Sequence, residues 1–190
     1  KENAERVVWY RASASDPWQE LFRQSRQGEQ IEPLAFDDDD KTLIVAANRG
    51  RDTMAIHLYD PLTRQLGERL AAHGRFDIGA DQTRGRIPGP TIEPNTRRLV
   101  GFRVHTERLE TVWLEDDYAR VQAMIDSALP GAINRFIGDP KGKRLLVSSY
   151  SDRQPRRWYF LHTDRRELEP LFESAPWFKA GDLVSMEPFF

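Results

Sequence analysis

The 190-residue chain has no cysteine, which excludes disulfides, thiolate zinc sites and cysteine nucleophiles and gives no indication of redox compartment. It has no apolar run of membrane-spanning length, so no transmembrane helix is expected. Asn-x-Ser/Thr sequons are missing as well, which removes N-glycosylation as a clue. There is no excess of charge of one sign: 28 Lys and Arg stand against 30 Asp and Glu, a formal net charge of -2. Neither nucleic acid nor an anionic membrane surface is therefore expected as a partner. The opening Lys1-Glu2-Asn3-Ala4-Glu5 is charged and is not read as a signal peptide; a chain that never had one and a chain that begins after one both fit. The compartment stays open between cytoplasm and periplasm, with the periplasm preferred.

What is present is the composition of a folded, water-soluble protein, 39% hydrophobic and 31% charged, with a mean hydropathy of -0.66 and a length suited to one domain. The main signal is an internal repeat. Phe36-Asp37-Asp38-Asp39-Asp40-Lys41-Thr42-Leu43-Ile44-Val45 aligns with Ile92-Glu93-Pro94-Asn95-Thr96-Arg97-Arg98-Leu99-Val100-Gly101 and with Gly138-Asp139-Pro140-Lys141-Gly142-Lys143-Arg144-Leu145-Leu146-Val147. Phe36 to Ile92 is 56 positions and Ile92 to Gly138 is 46, the longer interval carrying an insertion at His73–Gly89. A second landmark keeps step: Ile56–Pro61, Val112–Asp116 and Tyr159–Asp164. A period near 45 residues is the mark of arrays and propellers.

Within each copy, runs of β-branched, aromatic and Leu residues alternate with Asp, Gly, Asn and Pro, the pattern of strands and tight turns. In the first copy, strands are predicted at Pro33–Phe36, Thr42–Ala47, Met54–Tyr59 and Glu68–Ala71. In the third they fall at Leu145–Tyr150, Trp158–Leu161 and Leu168–Glu173, with a turn over Ser151–Pro155. Arg6–Tyr10 and Trp18–Arg23 read as the last two strands of an earlier unit. Asp116-Asp117 is expected to cap a helix over Tyr118–Leu129, whose Val121, Ile125 and Leu129 share one face. That helix would replace or cover the second copy's outer strand.

The fold class expected is therefore all-β: a partial propeller of about three and a half four-stranded antiparallel blades, with one short helix near residues 117–130. Its divisions are a half blade at 5–32, blades at 33–79, 87–132 and 133–183, and the start of an inter-domain segment at 184–190. An open arc of this kind leaves strand edges available for self-association.

Catalytic patterns are scarce. No serine stands in a Gly-x-Ser-x-Gly turn; Ser148, Ser149 and Ser151 read as strand-end residues. No two of His57, His73, His105 and His162 have the i, i+4 spacing of a shared metal, and His57 and His162 read as packing or surface residues of the repeated third strand. Asp37–Asp40 places Thr42 where a calcium loop needs glycine and Asn48 where it needs glutamate, so a hairpin turn is expected instead. No catalytic residue, metal ligand or cofactor is assigned. Of Trp9, Trp18, Trp113, Trp158 and Trp177, three belong to repeated strands, where rings fill space between blades. Charged hairpin tips are the candidate substrate-facing or inter-domain rim: Arg49, Arg51, Asp52, Arg108, Asp152 and Arg153, expected on one face with the His73–Gly89 loop. Solvated surface charge is the alternative.

Several segments, in order, resemble the propeller of bacterial prolyl oligopeptidase-family serine peptidases, the acylaminoacyl-peptidase-like group. They are Pro33–Phe36, Ala47-Asn48-Arg49-Gly50-Arg51-Asp52-Thr53, Thr111–Leu114, Ala128–Gly131, Asn134–Phe136 and Ser149–Arg153. The resemblance implies a two-domain enzyme whose propeller covers an α/β-hydrolase domain of the same polypeptide and restricts access to short peptide substrates. Ser185-Met186-Glu187-Pro188-Phe189-Phe190 is similar to the segment by which that family leaves the propeller. The family's Ser, Asp and His would lie beyond Phe190, and none carries over to this sequence. Two other readings remain: a free-standing interaction module like periplasmic TolB-like scaffolds, and a hydrolase built on the propeller itself, for which no carboxylate pair is placed.

Overall fold

Among the described residues, apolar runs joined by polar turns form strands that, within each sheet, pair with their neighbours in the chain. A computed structural model describes residues 5–25, 27–78, 89–178 and 180–187. The first sheet joins β1 (Glu5–Tyr10) and β2 (Gln19–Ser25). The second is β3 (Ile31–Phe36), β4 (Leu43–Ala47), β5 (Ala55–Asp60) and β6 (Gln65–Ala71). The third is β7 (Pro90–Ile92), β8 (Leu99–His105) and β9 (Leu109–Trp113), followed by helix α1 (Asp116–Ala128). The fourth is β10 (Ile133–Ile137), β11 (Arg144–Ser151), β12 (Gln154–His162) and β13 (Glu167–Glu173). All pairs are antiparallel, and none of the four sheets closes on itself. The protein is thus mostly β, with one short α-helix.

The repeat appears in the turns. Asp37 N donates to Thr42 O at 2.8 Å in the β3–β4 turn, and Glu93 N donates to Arg98 O at 2.8 Å in the β7–β8 turn, so the aligned positions superpose as hydrogen bonds. The acids cap donors of their own turn. Asp39 Oδ1 accepts from the Lys41 and Thr42 amides at 2.8 and 2.7 Å, and Asp139 Oδ1 accepts from Lys141 N at 2.9 Å. Glu93 accepts from Thr96 N and Asn95 Nδ2. These bonds favour the ionised form and hold the Asp39 and Glu93 carboxyls below their ordinary range.

Several boundaries differ from expectation, among them β6, which begins at Gln65, not Glu68, and β12, which begins at Gln154, not Trp158. β3 begins at Ile31, not Pro33, because Ile31 pairs with Ala47 and exchanges two hydrogen bonds with the Gln24 side chain. Pro33 is tolerated inside it because β3 is an edge strand with a bulge between Pro33 and Ala35. The β11–β12 turn is tighter than expected, since Ser151 already pairs with Gln154. The N-cap of α1 is Glu115, without a side-chain cap bond, and Asp116 and Asp117 lie inside the first turn, where they favour the positive end of the helix dipole.

Sheets stack face to face. All five residues of β4 are buried, as the uninterrupted run Leu-Ile-Val-Ala-Ala would suggest for a strand covered on both sides. Leu43, Val45 and Ala47 pack with Leu21 and Tyr59, flanked by Val8, Tyr10 and Phe22 of the first sheet. Ile44 and Ala46 face the other way, into a cluster with Ile56, Phe102, Val104 and Ile78 that reaches the third sheet. Ile78 N donates to Met54 O at 3.1 Å, and Ile78 also forms a bridge to Val104, stitching the two sheets together. Each buried side chain of this size contributes about 1.5–3 kcal/mol. A third cluster unites Val121 and Ile125 of α1 with Leu145, Val147 and Leu161 of the fourth sheet.

Candidate functional site

The six charged tip residues sit in three equivalent hairpins, each joining the second and third strands of its sheet. Arg49, Arg51 and Asp52 share the turn between β4 and β5, which Gly50 enters at φ +67°. Glu29 faces that turn: its Oε1 accepts from Gly50 N at 3.1 Å, and its Oε2 lies 3.8 Å from Arg49 Nε. Arg51 Nη2 donates to Thr53 Oγ1 and to His73 O, each at 3.3 Å, so this turn does meet the start of the His73–Gly89 loop. Residues 79–88 of that loop lie outside the described residues. Arg108 is exposed in the β8–β9 turn. Asp152 Oδ2 accepts from Met186 N at 2.6 Å, and Arg153 is an exposed neighbour. Among the described residues no side-chain hydrogen bond or ion pair joins one of these three turns to another.

His57, His73 and His162 make local contacts within the fold. His162, buried, lies with Nε2 2.7 Å from Glu169 Oε2 on the adjacent strand, and that contact holds the Glu169 carboxyl below its ordinary range. His73 Nδ1 accepts from the Arg75 and Phe76 amides. His57 is 3.4 Å from Gly67 O, and burial pushes its pKa down. Ser148 and Ser149 are buried within β11. Among the described residues no group of three or more His, Asp or Glu could hold a metal ion, and no helix is long and apolar enough to cross a membrane.

Arg51 and Asp52 line an open concavity of about 490 Å³ at the β4–β5 turn, and Arg108 lines a second, more enclosed one. The second is a groove between the third sheet on one side and α1 with β10 on the other. Its two adjoining halves enclose about 400 and about 270 Å³ and share Arg103, Thr111, Gln122 and Arg135. The strands place these groups by simple alternation. Phe102 and Val104 of β8 are buried toward the second sheet, so Arg103 between them takes the opposite face. Cross-strand pairing puts Thr111 beside Arg103, Trp113 beside Gly101 and Thr91 beside Gly101.

Gly101 is required for the floor of the groove. A Cβ there would lie 2.8 Å from Val112 O and 2.9 Å from Trp113 Cε3, so the indole can settle on β8 only because no side chain intervenes. Trp113 then packs against Tyr118 and Phe136 at ring-centroid distances of 5.2 and 5.3 Å, filling the space between two sheets as the repeat position implied. Burial, with Glu93, Asp139 and Glu115 nearby, pushes the Tyr118 hydroxyl up to about 12. Trp158 instead pairs with Phe172 on its own sheet, and Trp9, Trp18 and Trp177 are exposed.

The groove's acids are already engaged. Glu93 is capped as described above, Asp126 Oδ1 accepts from Gln122 Nε2 and Asn134 Nδ2 at 2.9 Å each, and Glu110 Oε1 accepts from Thr106 Oγ1 at 2.8 Å. Its arginines are not: none of Arg103, Arg108 and Arg135 makes a side-chain hydrogen bond or ion pair with a described residue. Burial first, and then the neighbouring Arg135 charge, push the Arg103 guanidinium below its ordinary pKa. No serine hydroxyl is hydrogen-bonded to a histidine among the described residues, so the groove offers cationic binding chemistry and no preassembled nucleophile. Compared with protein-family models, curated proteins and solved structures, the chain matches none.

Proposed function

We propose that the four sheets are blades of a propeller and that this propeller gates substrate access in a prolyl oligopeptidase-like serine peptidase, without performing the chemistry itself. The observation that carries the reading is the repeat. Three copies aligned in sequence fold as consecutive antiparallel meanders whose neighbouring strands follow chain order, with the first landmark always between strands one and two and the second always on strand three. In the second copy α1 takes the place of a fourth strand. Consecutive units laid face to face are how blades share a core. The peptidase assignment rests on the resemblance of the segments quoted above, and the partners it implies are an α/β-hydrolase domain of the same polypeptide and short peptides.

A direct test reads the gene beyond Phe190 and assays its full product. The expected result is about 250 further residues containing Gly-x-Ser-x-Gly, and hydrolysis of blocked short peptides that a serine-directed organophosphate abolishes. The 190-residue chain alone should turn over neither peptides nor glycosides. A stop codon at that point would sink the peptidase reading. It would leave the second one, a free-standing interaction module, which draws its support from exposed aromatics such as Trp18, Phe172 and Trp177.

A further inference from the structure

We infer that the groove between the third sheet and β10 binds an organic oxyanion, with Arg103 and Arg135 clamping its carboxylate or phosphate. Two like charges held near each other, partly out of water, repel, and proteins ordinarily relieve this with an acid. Three carboxylates line this groove and none is used for that purpose: Glu93, Glu110 and Asp126 each accept hydrogen bonds from other groups. The arginines are thus left for a ligand, and planar guanidinium groups match the two-oxygen edge of a carboxylate or phosphate.

A second, independent feature marks the same wall. Thr91 Oγ1 and Trp113 Nε1 are both buried without a hydrogen-bond partner, and both residues line the same half of the groove as the two arginines. Uncompensated buried polar atoms are uncommon in native structures, and three of the six among the described residues, Thr91 Oγ1, Trp113 Nε1 and Asn134 Oδ1, belong to residues that line this groove. Leu109, Leu129 and Ile133 border the other half, which suits a ligand with an apolar body behind its charged end. The inference holds whether the parent molecule is a peptidase or an interaction module, because it depends only on groups within this groove.

The test is calorimetric titration of the full chain at constant ionic strength with inorganic phosphate, succinate, and an acetylated dipeptide carrying either a free or an amidated C-terminus. Saturable binding is expected for at least one probe. It should weaken about 10-fold or more in Arg103→Gln and in Arg135→Gln, the usual loss for one charge-assisted contact, and stay unchanged in Lys143→Gln, an exposed cation away from the groove. Preference for the free over the amidated dipeptide would identify a peptide C-terminus as the source of the carboxylate. Equal binding of phosphate or succinate would identify a small anion. Because relief of repulsion accompanies each arginine substitution, the melting temperature should hold or rise in both variants. Absence of saturable binding by every probe, binding unaltered in both variants, or a lowered melting temperature in both would each overturn the inference.

Discussion

The two gaps flanking the third sheet are built on opposite terms. Toward the second sheet, Phe102 and Val104 meet Ile44, Ala46 and Ile56 in a dry cluster, all buried. Toward the fourth sheet, the alternate residues of the same strand, Gly101 and Arg103, face an aromatic contact and a polar groove. One strand thus seals one gap and opens the other. The period of two along β8 separates the tasks, so stability can be concentrated on one face while the other carries charge that costs stability.

The sharpest way to break this comparison is to truncate each side. Phe102→Ala should cost about 3–5 kcal/mol in urea unfolding, the usual penalty for emptying a buried aromatic site. Leu109→Ala, at the groove, should cost about 1 kcal/mol or less. Equal losses would show that the groove is as much a part of the core as the dry gap. Gly101→Ala is intermediate. The added methyl must displace Trp113 or strand β9, at about 1–3 kcal/mol, with a shift in tryptophan emission as its signature.

Acid should weaken the fold through its hydrogen-bonded carboxyls. The Asp39, Asp60, Glu93 and Glu169 carboxyls all sit below their ordinary values of 3.8 for Asp and 4.5 for Glu. A depressed folded-state pKa gives stability that is present above the unfolded value and lost as pH falls through the folded one. Urea midpoints should therefore be flat above about pH 5 and decline below it, and Asp39→Asn should flatten the decline. An unchanged decline in that variant would remove the turn acid from the explanation. The smallest effect lies at four turn residues held in the left-handed region, Asp40, Arg64, Arg97 and Arg166, with φ between 54° and 63°. Arg97→Gly should gain about 0.5–1 kcal/mol in melting experiments by relieving that conformation.

Those four residues also show where sequence reading stops. Arg64 and Arg166 occupy the same place, the last turn residue before β6 and β13, yet arginine has no preference for positive φ that would betray it. By contrast, most strand positions were legible to within about two residues, because alternation and turn chemistry are local, although β6 begins three residues and β12 four residues ahead of expectation. The double burial of β4 had a signal in its unbroken apolar run. Arg103 had one too, a lone charge within Leu-Val-Gly-Phe-Arg-Val, but its meeting with Arg135 did not, since β9 and α1 intervene between them. Of the expected rim, Arg49, Arg51 and Asp52 share one turn, Asp152 and Arg153 a second, and Arg108 lies in a third.

Local rules acting on this sequence therefore determine its strands, its turns, its helix and the repeat that orders them, since hydrogen-bonding turns and side-chain alternation need only neighbours a few residues apart. Which face of each sheet became core and which became a charged groove was decided by the stacking of sheets. That depends on packing between residues far apart in the chain, where a missing Cβ at Gly101 matters as much as the arginine two positions on.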